Sequence, residues 1–142
     1  MRILCLDVGE KRVGVAFADT AVKIAVPQAM IPVDGEELAN IAKTYRLKNA
    51  DTLVVGNPRN SKGEETKQTE FVKDFVEKIK SFFAEKGQNL PTIVFQDESL
   101  TSVQAELNLS RRKELSRRDR ADGIVDSEAA AIILQDYLES LN

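Results

Sequence analysis

Three acidic side chains, far apart along the chain, stand where a carboxylate needs explaining. Asp7 interrupts the apolar run Ile3-Leu4-Cys5-Leu6-Asp7-Val8, Glu98 follows the run Thr92-Ile93-Val94-Phe95-Gln96, and Asp126 shortly precedes Ala129-Ala130-Ala131. An ionised group in the interior of a strand is costly unless it is paired, hydrogen-bonded or bound to a metal. Carboxylates that meet repel one another and call for a cation or a shared proton. A ligand set made only of oxygens suits Mg²⁺ or Mn²⁺. Two such ions about 4 Å apart activate a water and stabilise the leaving oxygen of a phosphodiester. Each acid also has an ordinary explanation. Asp7 is otherwise a solvated acid at a strand end, Glu98 a loop acid like Asp97, and Asp126 a first-turn acid favoured by the helix dipole. Asp122 competes with Asp126 but reads more naturally as a helix cap.

Composition narrows the chemistry. The chain has no histidine and one cysteine among 142 residues. That removes Ser-His and Cys-His triads, imidazole acid–base catalysis and ordinary zinc sites. Catalysis is left to carboxylates, lysines, arginines, hydroxyls, tyrosines or a hard cation. Cys5 sits in an apolar strand and reads as a packed thiol, and a lone cysteine fits a reducing, cytoplasmic setting. No apolar run approaches the roughly 20 residues that span a bilayer, and the charges from Asp7 to Arg12 argue against a signal peptide. With a net charge of −3, a general affinity for nucleic acid is not indicated, although a local basic patch exists.

The elements that must bring the acids together follow from periodicity. Residues 2–8 and 13–18 read as two strands joined by a turn at Gly9-Glu10-Lys11-Arg12. In an extended strand Asp7 shares a face with Cys5 and Ile3, opposite Leu4, Leu6 and Val8. Residues 22–31, broken by Pro27, read as an edge strand. Asp34 is a candidate cap for a helix whose buried stripe is Leu38, Ile41, Ala42 and Tyr45. Residues 51–56 form a short buried strand. The loop from Gly56 to Gly63 lies at its carboxyl end, where open α/β sheets bind ligands. A helix over about 65–86 carries Phe71, Val72, Phe75, Val76, Ile79, Phe82 and Phe83 at core spacing. Residues 92–96 are a strand, 100–109 a helix, 110–122 a polar stretch. A last helix spans about 124–140, with Val125, Ala129, Ile132, Ile133, Tyr137 and Leu141 expected inward. The order predicts one α/β domain over 1–142, a mixed five-stranded sheet with helices on both faces. With the first strand central, the three acids converge on one edge of the sheet.

Four blocks of residues together carry a resemblance. They are Asp7-x-Gly9-x-Lys11-Arg12-x-Gly14-Val15-Ala16, Gly56-x-Pro58-x-Asn60-x-x-Gly63, Asp97-Glu98-x-Leu100-Thr101 and Asp126-x-x-Ala129-Ala130-x-x-Ile133-Leu134-Gln135. In this order, across nearly the whole chain, they resemble the bacterial YqgF/RuvX family. Its members are described as Holliday-junction resolvases and as nucleases that mature the 5′ end of pre-16S ribosomal RNA. The resemblance implies an RNase H-like fold and catalytic, metal-holding acids at Asp7, Glu98 and Asp126. Two positions depart from the family pattern: Ser99 stands where arginine is usual, and Asn57 where a large apolar residue is usual.

The basic residues then acquire a candidate role. Lys11 and Arg12 flank the first acid, and Arg111, Arg112, Lys113, Arg117, Arg118 and Arg120 form a basic stretch before Asp126. Such residues supply sequence-independent phosphate affinity, while the ordinary reading of a charge run is a solvated loop. The expectation is therefore a cytoplasmic Mg²⁺- or Mn²⁺-dependent endonuclease, a monomer or homodimer, acting on structured nucleic acid. Pre-16S rRNA is favoured and branched DNA is the alternative substrate. Two other readings compete. One is a phosphate-binding domain of the actin, Hsp70 and sugar-kinase superfamily, which begins with a similar Asp-x-Gly hairpin but needs two such domains. The other is a non-catalytic module that binds RNA or protein.

Overall fold

The computed structural model describes residues 1–60, 62–97 and 127–141. Strands β1 (Arg2–Val8) and β2 (Arg12–Asp19) form the expected antiparallel hairpin, paired from Arg2 opposite Asp19 to Val8 opposite Val13. The turn closes with the Gly9 amide donating to the Arg12 carbonyl at 3.0 Å. A Cβ on Gly9 would stand 2.7 Å from that same oxygen, closer than any side chain tolerates. Glycine is therefore required by close approach of the backbone. β3 (Val26–Pro32) follows, then α1 (Glu37–Leu47), β4 (Thr52–Asn57), α2 (Lys67–Glu85), β5 (Thr92–Asp97) and α3 (Glu128–Ser140).

The strands form one five-stranded sheet in the order β3-β2-β1-β4-β5. β1 and β4 are parallel, as are β4 and β5, while β1–β2 and β2–β3 are antiparallel. The sheet is thus mixed, β1 is its central strand, and β3, with Pro27 and Pro32, lies on an edge as the prolines require. All six residues of β4 are buried, the pattern of a parallel strand covered on both faces.

Alternation along the strands divides the core in two. Leu4, Leu6, Val8, Val13, Val15, Leu53 and Val55 pack against α1 and α2 through Ile41, Val72, Phe75, Val76, Ile79 and Phe83. Ile3, Cys5, Ala16, Ala18 and Val54 pack against α3 through Ala130, Ile133, Leu134 and Leu138. Helices therefore cover both faces. Each large apolar side chain fully buried here is worth about 1.5–3 kcal/mol, so the two faces hold α2 and α3 firmly to the sheet. Cys5 is buried, the packed thiol that its apolar run predicts.

Several expectations need correction. Asp34 does not cap α1: the N-cap is Glu36, without a side-chain bond, and the Asp34 carboxylate accepts from the Glu36 amide at 3.0 Å in a local turn. Such a turn competes with capping for the same short side chain. Phe71 is 36% exposed, on the solvent side of α2, although it sits beside core positions in sequence. The inward stripe of α3 is Ala130, Ile133, Leu134 and Leu138, with Ala129 and Ile132 only half-buried and Leu141 48% exposed. An alanine-rich helix shows weak amphipathicity, so its phase is poorly marked. The predicted helix at 100–109, the polar stretch 110–122 and Val125 lie outside the described residues.

Candidate active site

Asp7 is on the α3 face of the central strand, as the alternation with Ile3 and Cys5 requires. Its side chain is half-buried. Its partner across the hairpin is Gly14. On the other side β1 runs parallel to β4, in a pairing that ends with Leu6 opposite Val55. Across the hairpin Asp7 therefore faces a residue with no side chain. Beside it is an open cleft of about 300 Å³ lined by Asp7, Gly9, Lys11, Arg12 and Gly14. The exposed hairpin turn delivers Lys11 and Arg12 to the rim of the same cleft. One acid and two cations around a glycine-floored depression can accept a phosphate and a counter-cation together.

The carboxyl ends of β1, β4 and β5 lie at this one end of the sheet. The β4–β5 ladder runs out to Asn57 opposite Asp97. On the opposite face the start of α2 is tied to the same strand ends. Thr66 and Thr69 form a reciprocal capping box, the Thr69 hydroxyl donates to the Pro58 carbonyl, and the Gln68 amide donates to the Val8 carbonyl at 3.4 Å. After β4 the Asn60 side-chain oxygen accepts from the amides of Lys62 and Glu64, both at 2.9 Å. Gly63 adopts φ +78°, a conformation that favours glycine.

The third approach to this end is through α3. Ser127, fully buried, accepts a hydrogen bond from the Val15 amide at 2.9 Å. Val15 is next to Gly14, the partner of Asp7. Glu98 is the covalent neighbour of Asp97 and Asp126 that of Ser127, but both acids lie outside the described residues, as do Arg111, Arg112, Lys113, Arg117, Arg118, Arg120 and Ser99. Among the described residues no three acidic or sulfur-bearing side chains meet closely enough to hold a metal. Asp7, Lys11 and Arg12 are the sequence-predicted site residues that the described structure brings together. Gly14 and Ser127 are not among the site residues expected from the sequence. A glycine directly opposite an acid in a hairpin is the signal that marks Gly14. Nothing local marks Ser127, because its partner lies 112 residues away.

Asn57 is the remaining polar anomaly. It is buried, 8% exposed, on the α2 face, and its Oδ1 has no hydrogen-bond partner among the described residues. No described helix is long and apolar enough to cross a membrane.

Comparison with known proteins bears on the family and the fold. The family model described as "RuvX: Holliday junction resolvase" matches residues 1–140. A Streptococcus thermophilus protein named "Putative pre-16S rRNA nuclease" is 37% identical over 99% of both chains. A relative of the same name from Leuconostoc citreum is 37% identical over 99% of this chain and 96% of its own. The T. thermophilus RuvC structure in complex with Holliday junction substrate aligns with a TM-score of 0.58 at 13% identity, covering 100% of this chain and 97% of that one. The Fowlpox virus resolvase in complex with its Holliday junction aligns at 0.56 and 16% identity, covering 99% of each. At such identities the structural likeness is one of fold, and it is the expected RNase H-like one. The chain belongs to the RuvX family, whose model and curated relatives carry the names of nucleases.

Proposed function

We propose that this protein is a divalent-cation-dependent endonuclease acting on structured nucleic acid in the cytoplasm, with the 5′ leader of pre-16S rRNA as the favoured substrate. The observation that carries the reading is the half-buried Asp7 carboxylate on the central strand, set opposite Gly14 and rimmed by Lys11 and Arg12. The names of the curated relatives favour the ribosomal RNA precursor. The resolvase fold keeps a four-way DNA junction as the second substrate to test.

Asp7, Glu98 and Asp126 are the proposed catalytic acids and the proposed cation ligands. The donor set fits a hard ion, because it is all oxygen. A Mg²⁺ or Mn²⁺ ion, when bound, supplies charge neutralisation at the scissile phosphate and activation of the attacking water. The chain's own groups do the rest. Gly14, opposite Asp7, leaves room for a phosphate to approach the carboxylate. Lys11 and Arg12 bind flanking phosphates and orient the backbone without reading bases. Arg111, Arg112, Lys113, Arg117, Arg118 and Arg120 extend that contact along the substrate, so affinity falls with salt. No covalent enzyme intermediate is needed, in keeping with the absence of histidine.

The test is cleavage of a pre-16S leader fragment against a four-way DNA junction, in Mg²⁺ and in Mn²⁺. Asp7→Asn is expected to lower turnover by at least about 1,000-fold, with an unchanged circular dichroism spectrum. Joint neutralisation of Lys11 and Arg12 is expected to weaken substrate binding and to flatten its salt dependence. A folded Asp7→Asn variant with full activity rejects the mechanism. Binding of RNA with no cleavage of either substrate in either metal favours a binding module.

A further inference from the structure

α3 opens on a serine whose hydroxyl is not used in the ordinary way. Ser127 occupies the N-cap position, where a serine oxygen usually accepts from an amide of the helix's own first turn. No such bond forms in α3. The oxygen accepts instead from the Val15 amide at 2.9 Å, and Ser127 is 0% exposed. Val15 stands where the β2–β3 ladder slips: Val13 pairs with Ile31, but Val15 pairs with Gln28, so two steps on β2 face three on β3. The same short stretch of β2 contains Gly14, the partner of Asp7. A buried amide left without an acceptor is strongly disfavoured, so this bond fixes the start of α3 to the backbone beside Asp7.

We propose that Ser127 is a positioning residue of the nuclease: by accepting from Val15 it fixes the β2 backbone beside Gly14, and with it the setting of Asp7, against the start of α3. The proposal rests on the reading of Asp7 as a cation-holding acid. It explains why α3 gives up a side-chain cap. The hydroxyl holds in place the backbone that faces a proposed ligand, the task of groups that orient metal ligands from behind.

The test compares the wild type, Ser127→Ala and Leu138→Ala. Leu138 is buried at the far end of the same helix, so its truncation loosens α3 without touching the Val15 bond. Melting temperatures are measured with and without Mn²⁺ in the absence of nucleic acid, and kcat and KM are measured well below melting. Ser127→Ala is expected to lose about 10- to 100-fold in kcat, to keep KM within about twofold, and to show a smaller Mn²⁺-dependent rise in Tm. Leu138→Ala is expected to lower Tm but to retain both kcat and the Mn²⁺-dependent rise. Wild-type behaviour of Ser127→Ala, or equal losses in Leu138→Ala, overturns the proposal.

Should Ser127→Ala not fold, hydrogen exchange of the wild-type Val15 amide decides. Coupling between two events is reciprocal, so Mg²⁺ is expected to slow that exchange, and an unchanged rate overturns the proposal. Failure of the underlying reading looks different. The wild type then shows no metal-dependent rise in Tm, Asp7→Asn cleaves normally, and the role of Ser127 falls with it.

Discussion

Asp7 derives its character from its neighbours. A strand acid opposite valine or leucine would be crowded and desolvated, whereas Gly14 leaves its carboxylate half-open to a cleft. The period-2 rule places Asp7 on the face of Ile3 and Cys5 directly from sequence, and the structure agrees. What the strand pattern does not carry is the pairing partner, because cross-strand contacts depend on register. Asn57 shows the opposite case, a polar residue buried where the family resemblance leads one to expect an apolar one. Its Oδ1 finds no partner among the described residues, and an orphaned acceptor costs about 1–3 kcal/mol. Replacing it with leucine is expected to raise stability by about 1 kcal/mol, or about 3 °C in Tm. Calorimetry checks this, and a fall in Tm would mean that the amide has a structural partner in solution.

The hairpin and α2 are the most legible elements, and both have strong local signals. The hairpin has a glycine-led turn between apolar runs, and α2 has six buried positions at helical spacing. α3 and the start of α1 were less legible for physical reasons. Alanines blur the phase of α3, and Asp34 spends its carboxylate on a turn rather than on the helix. A different acid does secure the strand entrances. Asp51, just before β4, accepts from the Arg2 amide at 3.0 Å and from the Thr52 hydroxyl at 2.8 Å. The Arg2 amide bond above all, opposed by burial and helped by Thr52, holds its carboxyl below the usual carboxylate range. A lowered folded pKa contributes stability above the unfolded value, near pH 4, that disappears as the pH falls through the folded value. Asp51→Asn is therefore expected to lower Tm by about 1–3 °C at pH 7. The gap to the wild type should close below about pH 4. A gap that is constant down to pH 2 would assign the effect to packing instead.

Taken together, the topology converts three distant stretches into one end of one sheet. β1 is central because β2 returns beside it and β4 crosses over to its other edge. The outgoing ends of β1, β4 and β5 therefore share an edge, and Ser127 fastens α3 to the same place. The central place of the first strand is legible in the sequence because right-handed crossovers leave few alternatives. The fastening of α3 does not, since one hydroxyl meeting one amide across 112 residues has no local signature. The account stands on Asp7, Glu98 and Asp126 sharing a cation, and diffraction from crystals soaked in Mn²⁺ addresses that directly. It predicts an anomalous peak within about 2.0–2.3 Å of carboxylate oxygens from all three acids, absent from Asp7→Asn crystals. A peak elsewhere, or Glu98 and Asp126 on the far side of the sheet from Asp7, would contradict it.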